Sequence, residues 1–185
     1  MTKVLGISGS LRRGSYNSAL LRAAARLMPE DATLEVASLR GIPLYDADVE
    51  AQGIPTTVNQ LKEAIIAADG VLLATPEYNN SIPGVFKNAI DWLSRPSSDI
   101  RRVFGGRHFA IIGASPGGFG TTLSQAAWLP VMRTLGTQTW FGGRLMVSRA
   151  GGVFDEGGGL KDAAVEEHLK QFLAGYVNFL RRPAA

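Results

Sequence analysis

Four residues at one point of the chain, Pro76-Glu77-Tyr78-Asn79, stand between the apolar run Val71-Leu72-Leu73-Ala74-Thr75 and Ser81-Ile82-Pro83-Gly84-Val85. That order reads as a strand, a polar loop and a helix start, which is the edge where open α/β sheets take ligands. The same grammar recurs at Gly6-Ile7-Ser8-Gly9-Ser10-Leu11-Arg12 and at Gly113-Ala114-Ser115-Pro116-Gly117-Gly118. Three such loops suit one planar, phosphorylated ligand.

In the first loop, Ser10, Ser15, Asn17 and Ser18 offer hydroxyl and amide groups just before a helix, and Arg12 offers a guanidinium fork. A phosphate dianion needs inward donors, which main-chain N–H groups, hydroxyls and the positive end of a helix dipole supply together. A plainer reading stays open: Ser15 or Asn17 caps the helix, and Arg12 or Arg13 is solvated surface charge. The loop lacks G-x-G-x-x-G and a Gly-Lys-Ser/Thr ending, and Gly6-Ile7-Ser8-Gly9-Ser10 ends in Ser where a hydrolase elbow needs Gly.

For a ring, the second loop offers main-chain edges and flat side chains at Glu77, Tyr78 and Asn79. After Ser115, Gly117 and Gly118 permit close backbone approach. Each has a turn-only alternative, with Asn79, Asn80 and Ser81 simply reversing the chain. Asp91, within Lys87-Asn88-Ala89-Ile90-Asp91-Trp92-Leu93, is read as structural, either holding the preceding loop or facing another subunit. Asp46 and Asp48, within Pro43-Leu44-Tyr45-Asp46-Ala47-Asp48, are read the same way.

The elements that must position these loops follow from periodicity. Lys3 to Ser8 is a strand, followed by a helix carrying Leu20, Leu21, Ala24, Leu27 and Met28. Thr33 to Ser38 is a second strand, and an irregular connection from Leu39 to Pro55 leads to a capping box at Thr57-Val58-Asn59-Gln60 and a helix along Val58, Leu61, Ile65 and Ala68. Gly70 to Thr75 and Arg107 to Ala114 are buried strands, and a helix runs from Pro83 to Leu93. Another spans Gly120 to Leu135, where Pro130 is expected to kink or end it. Thr137 to Trp140 makes a fifth strand, extended by Leu145 to Val147. Gly151 to Gly159 is a mobile excursion before a helix striped by Val165, Leu169, Phe172, Leu173, Tyr176, Val177 and Leu180. A short tail, Arg181 to Ala185, ends the chain.

Five strands alternating with five helices give a single α/β domain with a parallel sheet, over residues 1–185. The absence of cysteine excludes disulfides, thiolate metal sites, iron–sulfur clusters and cysteine nucleophiles. His108 and His168, a strand-start and a helix-face residue, lack metal spacing. No apolar run approaches a bilayer span and the start reads as no signal segment, so a cytoplasmic protein is expected. A formal charge of +3 with scattered arginines argues against nucleic acid and suits anionic small ligands.

Three segments resemble the NAD(P)H-dependent FMN reductases, the family that includes quinone and chromate reductases of flavodoxin-like fold. They are Gly9-Ser10-Leu11-Arg12-Arg13-Gly14-Ser15-Tyr16-Asn17, Pro76-Glu77-Tyr78-Asn79 with Ser81 and Pro83-Gly84, and Lys87-Asn88-Ala89-Ile90-Asp91-Trp92-Leu93-Ser94-Arg95. The resemblance implies a three-layer sandwich of strand order 2-1-3-4-5, with FMN phosphate at Ser10, Arg12, Ser15 and Asn17. It puts the isoalloxazine ring against Pro76, Glu77, Tyr78 and Asn79, with Ser115 to Gly118 near its pyrimidine end. It further implies homodimers, often paired into tetramers, and ping-pong hydride transfer from NADPH or NADH to a quinone, free flavin, azo compound or chromate. No side-chain catalyst is expected, because the cofactor carries the hard step. Ser115 to Gly120 and Gly151 to Gly159 depart most from the family pattern. Rival readings are a flavodoxin-like electron carrier and a cofactor-free interaction protein on the same fold.

Overall fold

A computed structural model describes residues 1–182; the last three residues of the Arg181–Ala185 tail lie outside the described residues. Strands β1 (Thr2–Ser8), β2 (Ala32–Ala37), β3 (Gly70–Ala74), β4 (His108–Ala114) and β5 (Gln138–Thr139) form one parallel sheet in the order 2-1-3-4-5. The register pairs Val4 with Leu34 and Gly70, and Gly70 with His108. The expected extension of the fifth strand is a separate sixth strand, β6 (Met146–Val147), which pairs with the far end of β4 at Gly113 and Ala114.

The sheet separates two cores. On one face α1 (Tyr16–Arg26) and the long α7 (Ala163–Leu180) bury Leu20, Leu21, Leu169, Phe172 and Tyr176 against Val4, Leu72, Ala110 and Ile112. On the other, α3 (Thr56–Ala67), α4 (Gly84–Leu93) and α6 (Thr122–Thr134) bury Ile65, Phe86, Trp92 and Trp128 against Ile7, Leu73, Phe109 and Ile111. Alternate residues of one strand serve opposite cores, because side chains alternate across a strand. Both cores are deeply buried and aromatic-rich, so the carboxyl ends of β1, β3 and β4 are held on a stiff frame. No helix of the described residues is long and apolar enough to cross a membrane.

Several local expectations need correction. The connection from Leu39 to Pro55 carries a short helix, α2 (Ala47–Ala51), capped by the Asp46 carboxylate on Asp48 N at 2.8 Å. The expected capping box at Thr57 does not form. Helix α3 begins at Thr56 behind Pro55, and the Thr57 hydroxyl donates to Gly41 O instead, at 3.2 Å. Pro130 neither ends nor divides α6, which runs through it. The core contacts of Trp128 and Met132 on either side hold the helix together despite the missing donor. A further short helix, α5 (Ile100–Val103), precedes β4.

The Gly151 to Gly159 segment is not a free excursion. Val153 and Phe154 are buried, Phe154 stacks on Tyr16 with ring centroids 5.9 Å apart, and Gly159 N donates to Asp155 Oδ1 at 2.7 Å. Glycine content misled the reading; two apolar residues inside the run anchor it to α1.

Candidate functional site

Three loops converge at the carboxyl edge of β1, β3 and β4. The first follows β1. Gly9 N bonds Ala74 O at 2.9 Å, and a Cβ at Gly9 would collide with Phe86 and lie 2.9 Å from Pro76, so only glycine lets the loop leave here. Ser15 is the N-cap of α1, its Oγ accepting from Ser18 N at 3.3 Å. The amides of Tyr16 and Asn17, in the first turn of α1, have no acceptor among the described residues. Ser10 Oγ accepts from Arg12 N at 3.3 Å and meets Tyr78 Oη at 3.4 Å, tying the first loop to the second. Arg12 is exposed, its guanidinium 5.4 Å from the Tyr16 ring centre, and it is in no ion pair among the described residues.

Asn17 does not have the freedom first assigned to it. Its side chain is 2% exposed, donates to Ala114 O at 2.8 Å and accepts from Ala114 N at 2.9 Å. Both amide atoms are consumed in fastening α1 to the end of β4. Ser18 likewise faces inward, its Oγ 2.9 Å from Ser8 Oγ.

In the second loop, Thr75 and Pro76 are buried, and Tyr78 and Ser81 bridge each other through main-chain bonds of 3.2 and 3.1 Å. Asn79 and Asn80 between them have φ of 50° and 61°. Two successive left-handed residues make the primed type of hairpin turn, for which asparagine is suited. The Glu77 carboxylate turns away from the loop tip and accepts from Leu123 N at 2.8 Å and Ser124 N at 3.0 Å, so it caps α6. Beneath it the Thr75 hydroxyl meets Ser124 Oγ at 2.8 Å and accepts from Trp128 Nε1 at 3.1 Å.

The third loop is laced to β6 and the turn beyond it. Ser115 N donates to Val147 O, Ala150 N to Ser115 O and Arg149 N to Gly117 O, each at 3.0 Å, while Ser115 Oγ donates to Gly120 O at 2.7 Å. A Cβ on Gly118 would meet nothing within 4 Å, so the space in front of this loop is open. Arg149 is exposed with φ 48°. All three non-glycine residues of positive φ among the described residues, Asn79, Asn80 and Arg149, therefore belong to this edge, where local strain commonly accompanies a ligand site.

Sequence reasoning missed Thr75 and Arg149. The Thr-Pro junction at the end of a buried strand could have flagged the first; no local signal marks the second. The Lys87–Leu93 segment is explained structurally: Asn88 Nδ2 and Trp92 Nε1 both donate to Pro43 O, at 2.8 and 2.9 Å, and Asp91 pairs with Lys87 at 2.6 Å. No group of three or more metal-ligating side chains gathers among the described residues.

A parallel sheet of order 2-1-3-4-5 with helices on both faces, and polar loops gathered at its carboxyl edge, defines a flavodoxin-like protein. Residues 2–152 match the family described as NADPH-dependent FMN reductase, and the chain belongs to that family. It is 46% identical over 180 residues, covering 97% of this chain and 96% of the other, to an NAD(P)H-dependent FMN reductase of Pseudomonas aeruginosa. A 2-hydroxy-1,4-benzoquinone reductase of a Burkholderia species is 35% identical over 179 residues, covering 97% and 96%. The solved structure of FerB, a flavoenzyme NAD(P)H:(acceptor) oxidoreductase from Paracoccus denitrificans, superposes with a TM-score of 0.86 at 30% identity over 97% of each chain.

The edge fits the family's cofactor on its own terms. Unpaired main-chain amides at the start of α1 beside Arg12 suit a phosphate, and the open space before Gly118 suits a flat ring approaching the backbone.

Proposed function

We propose that this oxidoreductase holds FMN across the three loops and passes electrons from NAD(P)H to a small quinone-type acceptor. The observation that carries the reading is the set of free amides at Tyr16 and Asn17 beside unpaired Arg12, on a chain that belongs to the FMN reductases throughout its sheet. In this arrangement Arg12, the Ser10 and Ser15 hydroxyls and the α1 amides hold the phosphate. Pro76, Tyr78 and Asn79 bound the ring on one side and Ser115, Gly117 and Gly118 on the other. Glu77, Asn17 and Ser18 act as positioning residues that keep the loops in register. Bound FMN supplies the hydride-accepting and electron-donating chemistry.

On this reading, main-chain amides of the second and third loops stabilise negative charge gathering at a ring edge, without reorganisation during turnover. With no general acid or base called for, donor and acceptor take turns over one face, which gives ping-pong kinetics. The Burkholderia relative's name supports a quinone as acceptor.

A homodimer or homotetramer is part of the proposal. Tyr78, Val85, Phe119 and Leu123, which are 48%, 37%, 87% and 47% exposed, rim the same edge, and such apolar exposure around a ligand ledge favours burial by a second copy. A cytoplasmic location follows from the need for NAD(P)H.

The test is anaerobic stopped-flow absorbance of FMN-loaded protein mixed with NADPH, and separately with NADH, followed by benzoquinone. Rapid bleaching of the flavin band and its return on adding quinone is the expected result. Bound flavin that stays oxidised with both donors sinks the reading.

A further inference from the structure

Along β4, even-numbered residues bond toward β3 and odd-numbered residues toward the outer edge. Thr75 N donates to Ile112 O at 2.9 Å, whereas Gln138 N donates to Arg107 O at 2.8 Å, Trp140 N to Phe109 O at 2.7 Å and Gly113 N to Leu145 O at 3.1 Å. Ile111 belongs to the outward set. The chain opposite it leaves the ladder after Trp140 and rejoins at Leu145, so the Ile111 N–H and C=O have no partner among the described residues. Ile111 is 9% exposed and lines the cleft described next, and main-chain groups without a protein partner favour a ligand or water that can bond them.

The gap is held open by packing. The Trp140 indole turns to the α7 face, with its ring 5.0 Å from Phe172 and 5.7 Å from Tyr176. The chain then wraps over it: a Cβ on Gly142 would sit 2.6 Å from Trp140 Nε1, and one on Gly143 2.8 Å from Cη2. Residues 141–144 are thus levered off the strand line by an anchored side chain. On the α6 face this leaves a cleft of about 330 Å³, lined by Leu129, Phe141, Thr122, Thr139 and Arg144 together with Ile111. Arg144 is exposed and in no ion pair among the described residues.

We propose that this cleft is a second ligand site, separate from the flavin edge, for a planar heterocycle with a lactam, imide or primary carboxamide edge and an anionic substituent. Adjacent donor and acceptor on Ile111 call for adjacent acceptor and donor on the ligand, which such an edge presents. Phe141 and Leu129 supply apolar surface for a flat ring, Arg144 selects the anion, and the volume suits a small ligand. An extended peptide is disfavoured, because the ladder is open at one residue only: Phe109 and Gly113 on either side are already paired.

The test is titration of FMN-loaded, ¹⁵N-labelled protein with orotate, uracil and benzoate, read at the Ile111 amide. Orotate is expected to shift Ile111 and the Thr139–Arg144 amides saturably. Benzoate, with the ring and anion but no amide edge, should bind at least about tenfold more weakly, as the loss of two hydrogen bonds implies. Arg144→Gln should erase the preference for orotate over uracil. Leu129→Trp should fill the cleft and abolish binding while quinone reduction by NAD(P)H stays unchanged. The proposal is overturned by any of three results: no saturable shift at Ile111 with orotate or uracil; benzoate binding as tightly as orotate; or an Ile111 shift that follows protein concentration without any probe, meaning that a second copy fills the gap.

Discussion

Replacing Arg12 with alanine removes a guanidinium that is exposed, is in no ion pair among the described residues although Asp155 and Glu156 line the same cleft, and touches the fold through the Tyr16 ring, 5.4 Å away. An exposed cation–π contact contributes about 0.5–1 kcal/mol, so the unfolding midpoint should barely move. A hydrogen bond to a charged phosphate is worth about 1.5–3 kcal/mol, so FMN affinity should fall roughly tenfold to a hundredfold. Because Arg12 is open to solvent, the gap should narrow as salt rises and screening shortens to a few ångströms. Quenching of FMN fluorescence by apoprotein, followed at several ionic strengths, measures this directly. Arg12→Lys should recover part of the loss, since charge remains but the two-pronged geometry does not. Equal FMN affinity of wild type and Arg12→Ala at low salt would remove Arg12 from the phosphate cradle and refute the argument from its unpaired charge.

Three further outcomes follow from the same geometry. Asn17→Ala leaves the buried N–H and C=O of Ala114 bare and should destabilise the fold by about 3 kcal/mol in urea titrations, whereas a normal midpoint would mean that the two bonds are not made in solution. Glu77→Ala removes the acceptor for Leu123 and Ser124 amides, costing about 1 kcal/mol of stability and, by freeing the second loop, weakening FMN severalfold; unchanged binding would show that the loop keeps its place without this cap. Asp99, held below the usual carboxylate range by Arg102 and then by fully buried Lys62 at 2.8 Å, contributes stability present above the ordinary carboxylate pKa and lost as pH falls through its depressed value. Asp99→Asn should therefore cost about 3 kcal/mol at pH 7 and flatten the acid limb of the stability profile; equal acid sensitivity of wild type and variant would show that other carboxylates dominate.

The sheet was legible because its strands are buried on both faces and read as apolar runs, and because each helix repeats its apolar residues at helical spacing. The strand order could not come from Leu72 or Ile112 alone; it came with the family resemblance, and the pairing of Val4 with both Leu34 and Gly70 bears it out. Short-range rules failed where distant partners decide. Thr57 had a capping pattern, but Gly41, brought close by the fold, takes its hydroxyl. Pro130 had the credentials of a helix breaker, but Trp128 and Met132 are locked into the core around it. The split between β5 and β6 coincides with the packing of the Trp140 indole on Phe172 and Tyr176, a distant contact that local periodicity cannot register.

The residues first read as ligand contacts divide by a physical rule. Asn17, Ser18 and Glu77 are bonded to Ala114, Ser8 and the start of α6, so each joins one strand end to a neighbouring element. Short polar side chains at a sheet edge compete for two tasks, binding and bracing, and main-chain groups left bare by the chain reversals are the first to claim them. What remains turned outward at this edge is backbone amide, the Arg12, Tyr78, Asn79 and Arg149 side chains and open space before Gly118. On the proposed reading, the outward groups recognise charge and flatness, and the rigidity of the edge comes from the braces. Bracing mutations should accordingly weaken FMN together with fold stability, whereas Arg12 should separate the two; finding Glu77→Ala and Arg12→Ala alike in both respects would dissolve that division.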